Sequence, residues 1–483
     1  MSEERVQLRL ESDGFSCDHL QVFELTGAEI VSRLPHMNLG VVVIGETGLE
    51  VSDVEGALAS LVFTQDGEEL RRFNGMIAQV DDLLDTEPDH HTYRLVLVPR
   101  AHRATLVKIQ EIFMDLTVPE IIQKKLALVG LEGPDVTLRL TRSYPKREFV
   151  IQYKETDLDF ISRLAEHEGI SFHFEHEHGS DQMVFSDHSR GFATMPGREN
   201  VPFRSRGERR DVYAIESSNR VIPQHFGVHD YNYRTPLVDV TGNAQSKSGF
   251  MGGVVEYGSH AKTPAEAEMY AKLRAEESES THRVFSLESD LGFITAGHRF
   301  TLEGHPKLGD QSLQVLEIHH AAQYSVGAHG GKDPRGYSNR FRAIDGALTF
   351  RPPRVTPRPR IDGMVTGTIA HEQEGTETLF ARLDEQGRYL VRFKLDTSPA
   401  GERATVSRRI RMMQQHAGAN YGTHMPLKPG VEVMVAFADG DPDRPLIIGC
   451  APNPVTASPV DSNCAPVHRI KTATGIIFEM KDA

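Results

Sequence analysis

The sequence predicts a mainly β protein with one small α/β insert. Three observations carry this expectation. Val431, Val433, Val435 and Phe437 alternate with Glu432, Met434, Ala436 and Ala438, the period-two pattern of a half-buried strand. Short extended runs also fill the first hundred residues, separated by Gly, Asp and Asn, as in a barrel or sandwich. Paired helix start and stop signals, by contrast, occur at few places, two of them close together within residues 117–169.

Bulk properties narrow the function classes. A chain of 483 residues is too long for one core and suggests two to four domains. Its 39% apolar and 25% charged content is ordinary for soluble globular protein. A formal charge of −15 argues against nucleic acid or an anionic membrane as partner, since both favour basic surface. No run approaches the roughly 18 apolar residues of a membrane span. The opening MSEERVQLRLESDG lacks the basic-then-apolar order of a signal peptide, so synthesis in the cytoplasm is expected. Cys17, Cys450 and Cys464 are odd in number and scattered, which supports neither a disulfide framework nor a zinc site.

Along the chain, strand-like runs come first: Val6 to Leu10, Leu20 to Leu25, Val41 to Ile44, Leu61 to Phe63 and Tyr93 to Val98. Arg71–Val80 and His91–Arg100 read as an antiparallel pair. In TVPEIIQKKLALVG, Thr117 and Glu120 form a capping box around Pro119, and Gly130 is the natural stop. In KETDLDFISRLAEHEG, Thr156 caps, Asp157 and Asp159 suit the positive end, and Gly169 ends the helix. Leu158, Ile161, Leu164 and Ala165 form its apolar stripe. ISFHFEHEH (170–178) then reads as a strand with a polar, exposed character. Strand texture resumes from Phe203 to Phe350, around a third helix opened by the box Thr263-Pro264-Ala265-Glu266.

RPPRVTPRPR (351–360) reads as a stiff linker. Residues 361–455 then have about the size of an oligonucleotide/oligosaccharide-binding (OB) barrel. Its hairpin turn is the strand 431–437, the break at Asp439-Gly440, the rigid Asp441-Pro442-Asp443-Arg444-Pro445, and the return Leu446-Ile447-Ile448 up to Gly449. A second Pro-rich break leads into a strand-like tail, 456–483, ending RIKTATGIIFEMKDA.

Candidate chemistry is sparse. Asp439, Asp441 and Asp443 begin like a calcium loop, but Arg444 stands where Gly is required and Cys450 where a bidentate Glu is required. The turn residues Gly430, Asp439, Gly440, Asp441, Pro442, Asp443, Arg444, Pro445 and Gly449 are therefore expected to be a structural motif. His167, His173, His176 and His178 surround Glu168, Glu175 and Glu177, but strand alternation splits them between two faces, whereas zinc needs three or four converging ligands. No H-E-x-x-H, G-x-S-x-G, Walker A or dinucleotide fingerprint occurs. Paired glycosidase carboxylates are defined by separation in space and stay open. No catalytic residue, cofactor or metal is expected. Binding single strands would want stacking aromatics in a basic groove; residues 361–454 supply only Phe380, Tyr389, Phe393, Tyr421 and Phe437, several with core spacing.

Several ordered stretches resemble one family, the VgrG-type spike proteins of type VI secretion systems, related to hub and spike proteins of contractile phage tails. REFVIQYKETDLDFISRLAEHEGISFHFEHE (147–177) resembles its most recognisable segment. HFGVHDYNYRTP (225–236), AGHRFTLEGHP (296–306) and YSNRFRAI (337–344) resemble its later barrel region. RYLVRFKLD (388–396) and GVEVMVAFADGDPDRPLIIGCAPNP (430–454) resemble its OB barrel, and RIKTATGIIFEM the entry to its β-helix. The resemblance implies a base over 1–350 made of two hub-type barrels with an α/β insert around 100–180, then the OB barrel, then the start of a trimeric β-helix. It further implies a homotrimer seated on a hexameric Hcp-type tube, with baseplate components, a tip protein and effectors as partners. Such a spike is assembled on the secretion apparatus and driven out of the cell or into a target by sheath contraction. Two departures stand out: the chain has no Trp, which the family commonly carries near 388–437, and the sequence ends at Ala483 where a needle should begin. A phage tail hub, or a spike with a cell-wall hydrolase or effector in a C-terminal extension, is the alternative.

Overall fold

The computed structural model describes residues 6–84, 89–195, 198–204, 211–326, 336–371, 378–397 and 408–481. The chain forms two compact units. Unit 1 comprises Met1–Val107, Ile122–Tyr144 and Asp157–Thr356; unit 2 comprises Lys108–Ile121, Pro145–Thr156 and Pro357–Ala483. Unit 2 thus takes in two pieces of the region read from sequence as an insert, and the last division falls inside the Pro/Arg-rich segment, between Thr356 and Pro357.

In chain order the elements are β1 (Gln7–Ser12), β2 (Leu20–Ile30), β3 (His36–Ile44), a one-turn α1 (Val51–Val54), β4 (Leu58–Gln65), β5 (Glu68–Asp82) and β6 (His90–Val98). Next come β7 (Lys108–Phe113), α2 (Val118–Leu128), β8 (Val136–Arg139), β9 (Val150–Thr156), α3 (Asp157–Glu168), β10 (Ser171–Glu175) and β11 (Gln182–Ser186). The strands β12 (Ala193–Thr194), β13 (Asn200–Pro202), β14 (Val212–Asn219), β15 (His225–Asp230), β16 (Val240–Gln245) and β17 (Gly253–Tyr257) lead to α4 (Pro264–Glu279). Unit 1 closes with β18 (Arg283–Ser289), β19 (His298–His305), β20 (Gly309–Gln323) and β21 (Gly336–Asp345). Unit 2 continues with β22 (Val365–Ile369), β23 (Tyr389–Phe393), β24 (Arg409–Ile410), β25 (Ala417–Gly418), β26 (Tyr421–Gly422), β27 (Glu432–Phe437), β28 (Pro445–Cys450), β29 (Val467–Lys471) and β30 (Ile477–Lys481).

Unit 1 is built on a 13-stranded sheet whose main path runs β1-β4-β5-β6-β3-β2-β20-β21-β18-β14, with β19 joining β20 to β12 and β13. The expected pairing of Arg71–Val80 with His91–Arg100 is β5 against β6, antiparallel. Two apolar clusters fill this sheet. One gathers Leu25, Met37, Leu39, Val41, Leu61, Phe63, Phe73, Leu95 and Leu97; the other gathers Phe285, Leu287, Phe300, Leu302, Leu313, Val315 and Phe341. The long strands β2 and β20 join the two halves, paired from Glu24↔Gln323 to Ile30↔Glu317.

The helices follow their end signals. Thr117 N–H donates to Glu120 Oε2 at 2.7 Å and the Thr117 hydroxyl accepts the Glu120 N–H at 3.3 Å, a complete capping box. At α4, Thr263 accepts the Glu266 N–H at 3.2 Å, while Glu266 reaches the Lys262 N–H at 2.8 Å. Gly130 and Gly169 stand at φ +80° and +66°, the left-handed stop that glycine adopts without a Cβ clash. A three-stranded sheet, β16-β15-β17, carries α4 on β16 and β15. Gly242 permits that approach: a Cβ there would lie 2.0 Å from the Glu268 nitrogen.

One expectation is corrected. Residues 170–178 were expected to form a polar, exposed strand, yet all five residues of β10 are buried. Strand β10 is an edge strand of the sheet β10-β11-β8, yet its polar side chains are buried with partners, His173 beside Glu175 and Glu175 held by Arg139, instead of solvated. Within unit 2, the sheet order is β24-β23-β22-β27-β28, and Ile112, Phe149 and Ile151 join Tyr389, Val391, Val433, Val435 and Ile447 in one apolar cluster.

Candidate functional site

The hairpin β27–β28 shows why its sequence is so constrained. Val433, Val435 and Phe437 are buried and alternate with half-buried residues, as the period-two pattern requires. The backbone reverses through Asp439 at φ 56° and Gly440 at φ 72°, the left-handed region in which Asp and Gly are the tolerated types. Asp441 closes the turn: its Oδ1 accepts the Asp443 N–H at 3.0 Å, its carbonyl accepts the Arg444 N–H at 2.9 Å, and Arg444 Nε lies 3.7 Å from its Oδ2. Pro442 and Gly440 are buried, and Pro445 pairs with Phe437. Gly430 turns the chain into β27, donating to the Ile369 carbonyl at 2.9 Å. Gly449 meets no atom that a Cβ would strike, so nothing in the packing demands glycine there.

Two contacts make the turn a staple within unit 2. The Asp443 carboxylate accepts the Ile151 N–H at 2.8 Å, and the Gly440 carbonyl accepts the Ile361 N–H at 2.8 Å. Asp443 thereby ties the hairpin to β9, nearly three hundred residues earlier in the chain. Asp443→Ala should cost about 1–3 kcal/mol by leaving that amide without its acceptor, whereas Asp443→Asn should cost less; thermal unfolding of both variants checks this.

The histidine and acid residues near 167–178 separate as follows. His173 Nε2 lies 3.3 Å from Glu175 Oε1, and Arg139 grips the same carboxylate through two contacts of 2.6 and 2.8 Å. Burial alone would raise Glu175, but His173 and Arg139 outweigh it and bring its pKa to about 2. His176 accepts the Asn74 N–H at Nδ1, 3.1 Å. His167, on α3, faces the Ser259 carbonyl at 3.0 Å. Glu168 accepts the Tyr270 hydroxyl at 3.0 Å and Glu177 is exposed. The His178 side chain lies outside the described residues, as do residues 482–483. Of this set, His173 and Glu175 are brought together.

A cleft of about 540 Å³ borders these residues, edged by Arg71, Phe174, His176, Met195, Phe293 and His298. Among its polar side chains, Arg72 pairs with Glu69 at 2.7 Å and His298 Nδ1 lies 3.3 Å from the Ala296 carbonyl. Burial pushes both His176 and His298 down to about 4, so Glu175 is ionised and these two rings are neutral near pH 7. None of the three is poised for proton transfer at neutrality. The same shifts have a stability consequence. A histidine ordinarily titrating near 6.5 that is held at about 4 when folded binds fewer protons in the native state, so its contribution is present above pH 6.5 and is lost as pH falls towards 4. Unfolding midpoints measured from pH 7 to 4 should fall steadily, and His298→Gln should flatten that slope by about one proton.

Sequence reasoning missed a second constellation in unit 1. The Glu29 carboxylate receives Arg71 at 2.7 Å, His320 Nε2 at 2.8 Å and the Thr295 hydroxyl at 2.6 Å. Tyr337 donates to His320 Nδ1 at 2.7 Å and accepts Asn339 at 3.1 Å, while Arg71 also lies over the Phe63 ring. Burial alone would raise Glu29, but the Arg71 charge and His320 hold it well below its usual range. These residues come from β2, β5, β20, β21 and the loop before β19, which are distant in sequence, so no local pattern announces them. The arrangement bonds β2 and β20 at the junction of the two halves. The Lys125–Asp157 ion pair, 2.7 Å and fully buried, joins α2 to α3 in the same manner.

The described part of the C-terminal tail is an isolated hairpin. β29 and β30 pair only with each other, and Ile470, Ile477, Phe478 and Met480 are each half or more exposed. Among the described residues, no helix is long and apolar enough to cross a membrane.

Comparison with known proteins places these features in context. Residues 28–326 match the phage tail baseplate hub (GPD) family, and residues 379–451 match a domain of unknown function, DUF6484. The chain is 29% identical over 426 residues to the type VI secretion system spike protein VgrG3 of Vibrio cholerae, covering 86% of this chain and 40% of that protein. It is 29% identical over 459 residues to the spike protein VgrG4b of Pseudomonas aeruginosa, covering 91% of this chain and 55% of the relative. The chain therefore spans about half the length of these relatives. Another match, 29% identical and covering 35% of its length, is the actin cross-linking toxin VgrG1 of Vibrio cholerae. In fold, it is similar to the E. coli c3393 protein, a type VI secretion component resembling phage T4 gp27 and gp5, at TM-score 0.66 and 20% identity over 92% of this chain and all of that one. A chain of a Francisella PdpA–VgrG complex has TM-score 0.62 at 9% identity, over 99% of this chain and 83% of that one.

Proposed function

Because the chain belongs to the phage tail baseplate hub (GPD) family, matched over residues 28–326, we propose that it is a structural spike component of a type VI secretion tube. It acts by geometry and stiffness, with no reaction of its own. The family match is the observation that carries this reading, and the resemblance to VgrG spike proteins over most of the chain directs it towards secretion. In this reading the chain is made in the cytoplasm, assembles as a homotrimer on a hexameric Hcp-type tube with baseplate components, and travels outward carrying a tip protein and effectors.

The parts of the fold take the following roles. The two core clusters along the unit 1 sheet are the paired barrels of the base, so three copies would present six similar barrels to a sixfold tube. In unit 2, the strand order β24-β23-β22-β27-β28 and the bridge Met412↔Ile447 support an OB-type barrel, because that bridge brings its two outer strands together. The exposed β29–β30 hairpin is the start of a β-helix that needs two further copies to bury its apolar side chains. The turn from Asp439 to Pro445 braces the OB barrel; its acids serve hydrogen bonds, with no metal role assigned.

The GPD match itself favours a second reading, a hub of a contractile phage tail. Genomic neighbours separate the two: secretion-sheath and tube genes support the first, capsid and tail-assembly genes the second. A peptidoglycan-release assay should find no cleavage by this chain, and robust cleavage would contradict the non-catalytic reading. Delivery is tested by deleting the gene in its host: tube protein should vanish from the culture medium, and undiminished secretion would overturn the spike role.

A further inference from the structure

The three-stranded sheet β16-β15-β17 is open on one side. Helix α4 packs on β16 and β15, and the small core beneath it, Val228, Val240, Ala267, Tyr270 and Leu273, belongs to that contact. β17 lies beyond the helix. It pairs only with β15, in parallel, from His225↔Gly253 to His229↔Tyr257, and no strand flanks its other side among the described residues. The ribbon begins earlier than the strand itself, since the Phe250 N–H donates to the Ile222 carbonyl at 3.0 Å.

This edge is unguarded. Residues 248–255, SGFMGGVV, contain no charge, although a quarter of the chain is charged. Phe250, Met251 and Val255 are 68%, 67% and 78% exposed, and Val254 and Tyr257 are 48% and 56% exposed. Adjacent residues 254 and 255 point to opposite faces of a strand, so both faces of β17 are apolar and open. The one acid of the strand, Glu256, is turned to Arg274 and Arg354, and so does not protect the edge. Soluble proteins normally blunt such an edge with lysine, proline or a bulge. With aromatic side chains of roughly 150–250 Å² each, the ribbon offers on the order of 600 Å² of apolar surface, at the upper end of the largest patch a monomer commonly carries and most of the ~800 Å² that one side of a stable interface contributes.

We propose that the ribbon Phe250–Tyr257 is a contact surface between copies of this chain. An edge this apolar needs cover whenever the protein is folded, which a transient partner does not provide but a second copy does. Charge depletion also fits a permanent interface between like subunits better than a docking site for exchangeable cargo. The inference rests on the homotrimer reading above and names the surface that builds it in the base, apart from the C-terminal hairpin.

Light scattering on the full chain and on the double variant Phe250→Asp/Val255→Asp tests it. Both side chains are exposed, so the variant should keep its circular dichroism and melting curve. Leu106→Asp, at a 72% exposed site elsewhere, is the control. The expected result is a trimer for the parent and control, and an approximately threefold fall in mass for the double variant. A parent trimer that survives the double substitution would overturn this surface while leaving the homotrimer standing. A monomeric parent would overturn both. A variant that stays trimeric but no longer binds tube protein would assign the ribbon to a different partner and also overturn the inference.

Discussion

Glu29→Ala should destabilise unit 1 by about 3–5 kcal/mol, because it removes one member of a buried charge pair and leaves Arg71 in low dielectric without its carboxylate. The side chains of Arg71 and Glu29 are only 10% and 5% exposed, so water cannot take over. Glu29→Gln keeps the shape and a hydrogen-bond acceptor but not the charge, and should lose nearly as much. Chemical denaturation at pH 7 measures both; a loss below about 1 kcal/mol, the range of an exposed pair, would contradict this role. The sign of the pH dependence follows from the same site. The folded carboxyl lies well below its ordinary range, so the native state binds fewer protons than the unfolded chain. Its contribution is present above the ordinary carboxylate pKa and lost as pH falls below it. The parent should therefore lose more stability than Glu29→Gln between pH 5 and 3.

Lys125→Met should be comparably damaging. Both Lys125 and Asp157 are fully buried, 2.7 Å apart, and losing the cation removes the counter-charge of a buried carboxylate at the start of α3. A cost of about 3–5 kcal/mol is expected. The informative comparison is the pair: Lys125→Met with Asp157→Leu should recover much of the loss, since two apolar side chains of similar volume replace a buried ion pair at little cost. A double-mutant cycle should give a coupling of about 2–3 kcal/mol. Strict additivity would mean that the two residues act independently.

What was legible in the sequence, and what was not, follows one physical division. Local rules reached far: alternation marked β27, capping boxes marked α2 and α4, and two glycines marked helix ends. The turn at Asp439–Arg444 was recognisable as a rigid chain reversal from its Asp-Gly and Pro residues. Its partner was not recognisable, since Ile151 is almost three hundred positions away and offers only a backbone amide. The Glu29–Arg71–His320 cluster is hidden for the same reason, as no local period links five separate elements. The expected solvent exposure of residues 170–178 failed because polarity along β10 reflects buried pairing with Arg139, which sits on another strand. The Pro/Arg-rich segment looked like a uniform spacer, but Arg351 is buried and donates to the Gly169 and Asp187 carbonyls. Arginine composition does not reveal whether a guanidinium meets water or carbonyl groups.

The central claim is that this chain is a trimeric adaptor whose shape matches a hexameric tube. The direct measurement is the mass of the complex formed with a purified Hcp-type ring, by analytical ultracentrifugation or native mass spectrometry. The predicted result is three copies of this chain on one hexamer, unchanged when the ring is in excess. A chain that sediments alone in the presence of micromolar rings, or binds with one or six copies per hexamer, would contradict it.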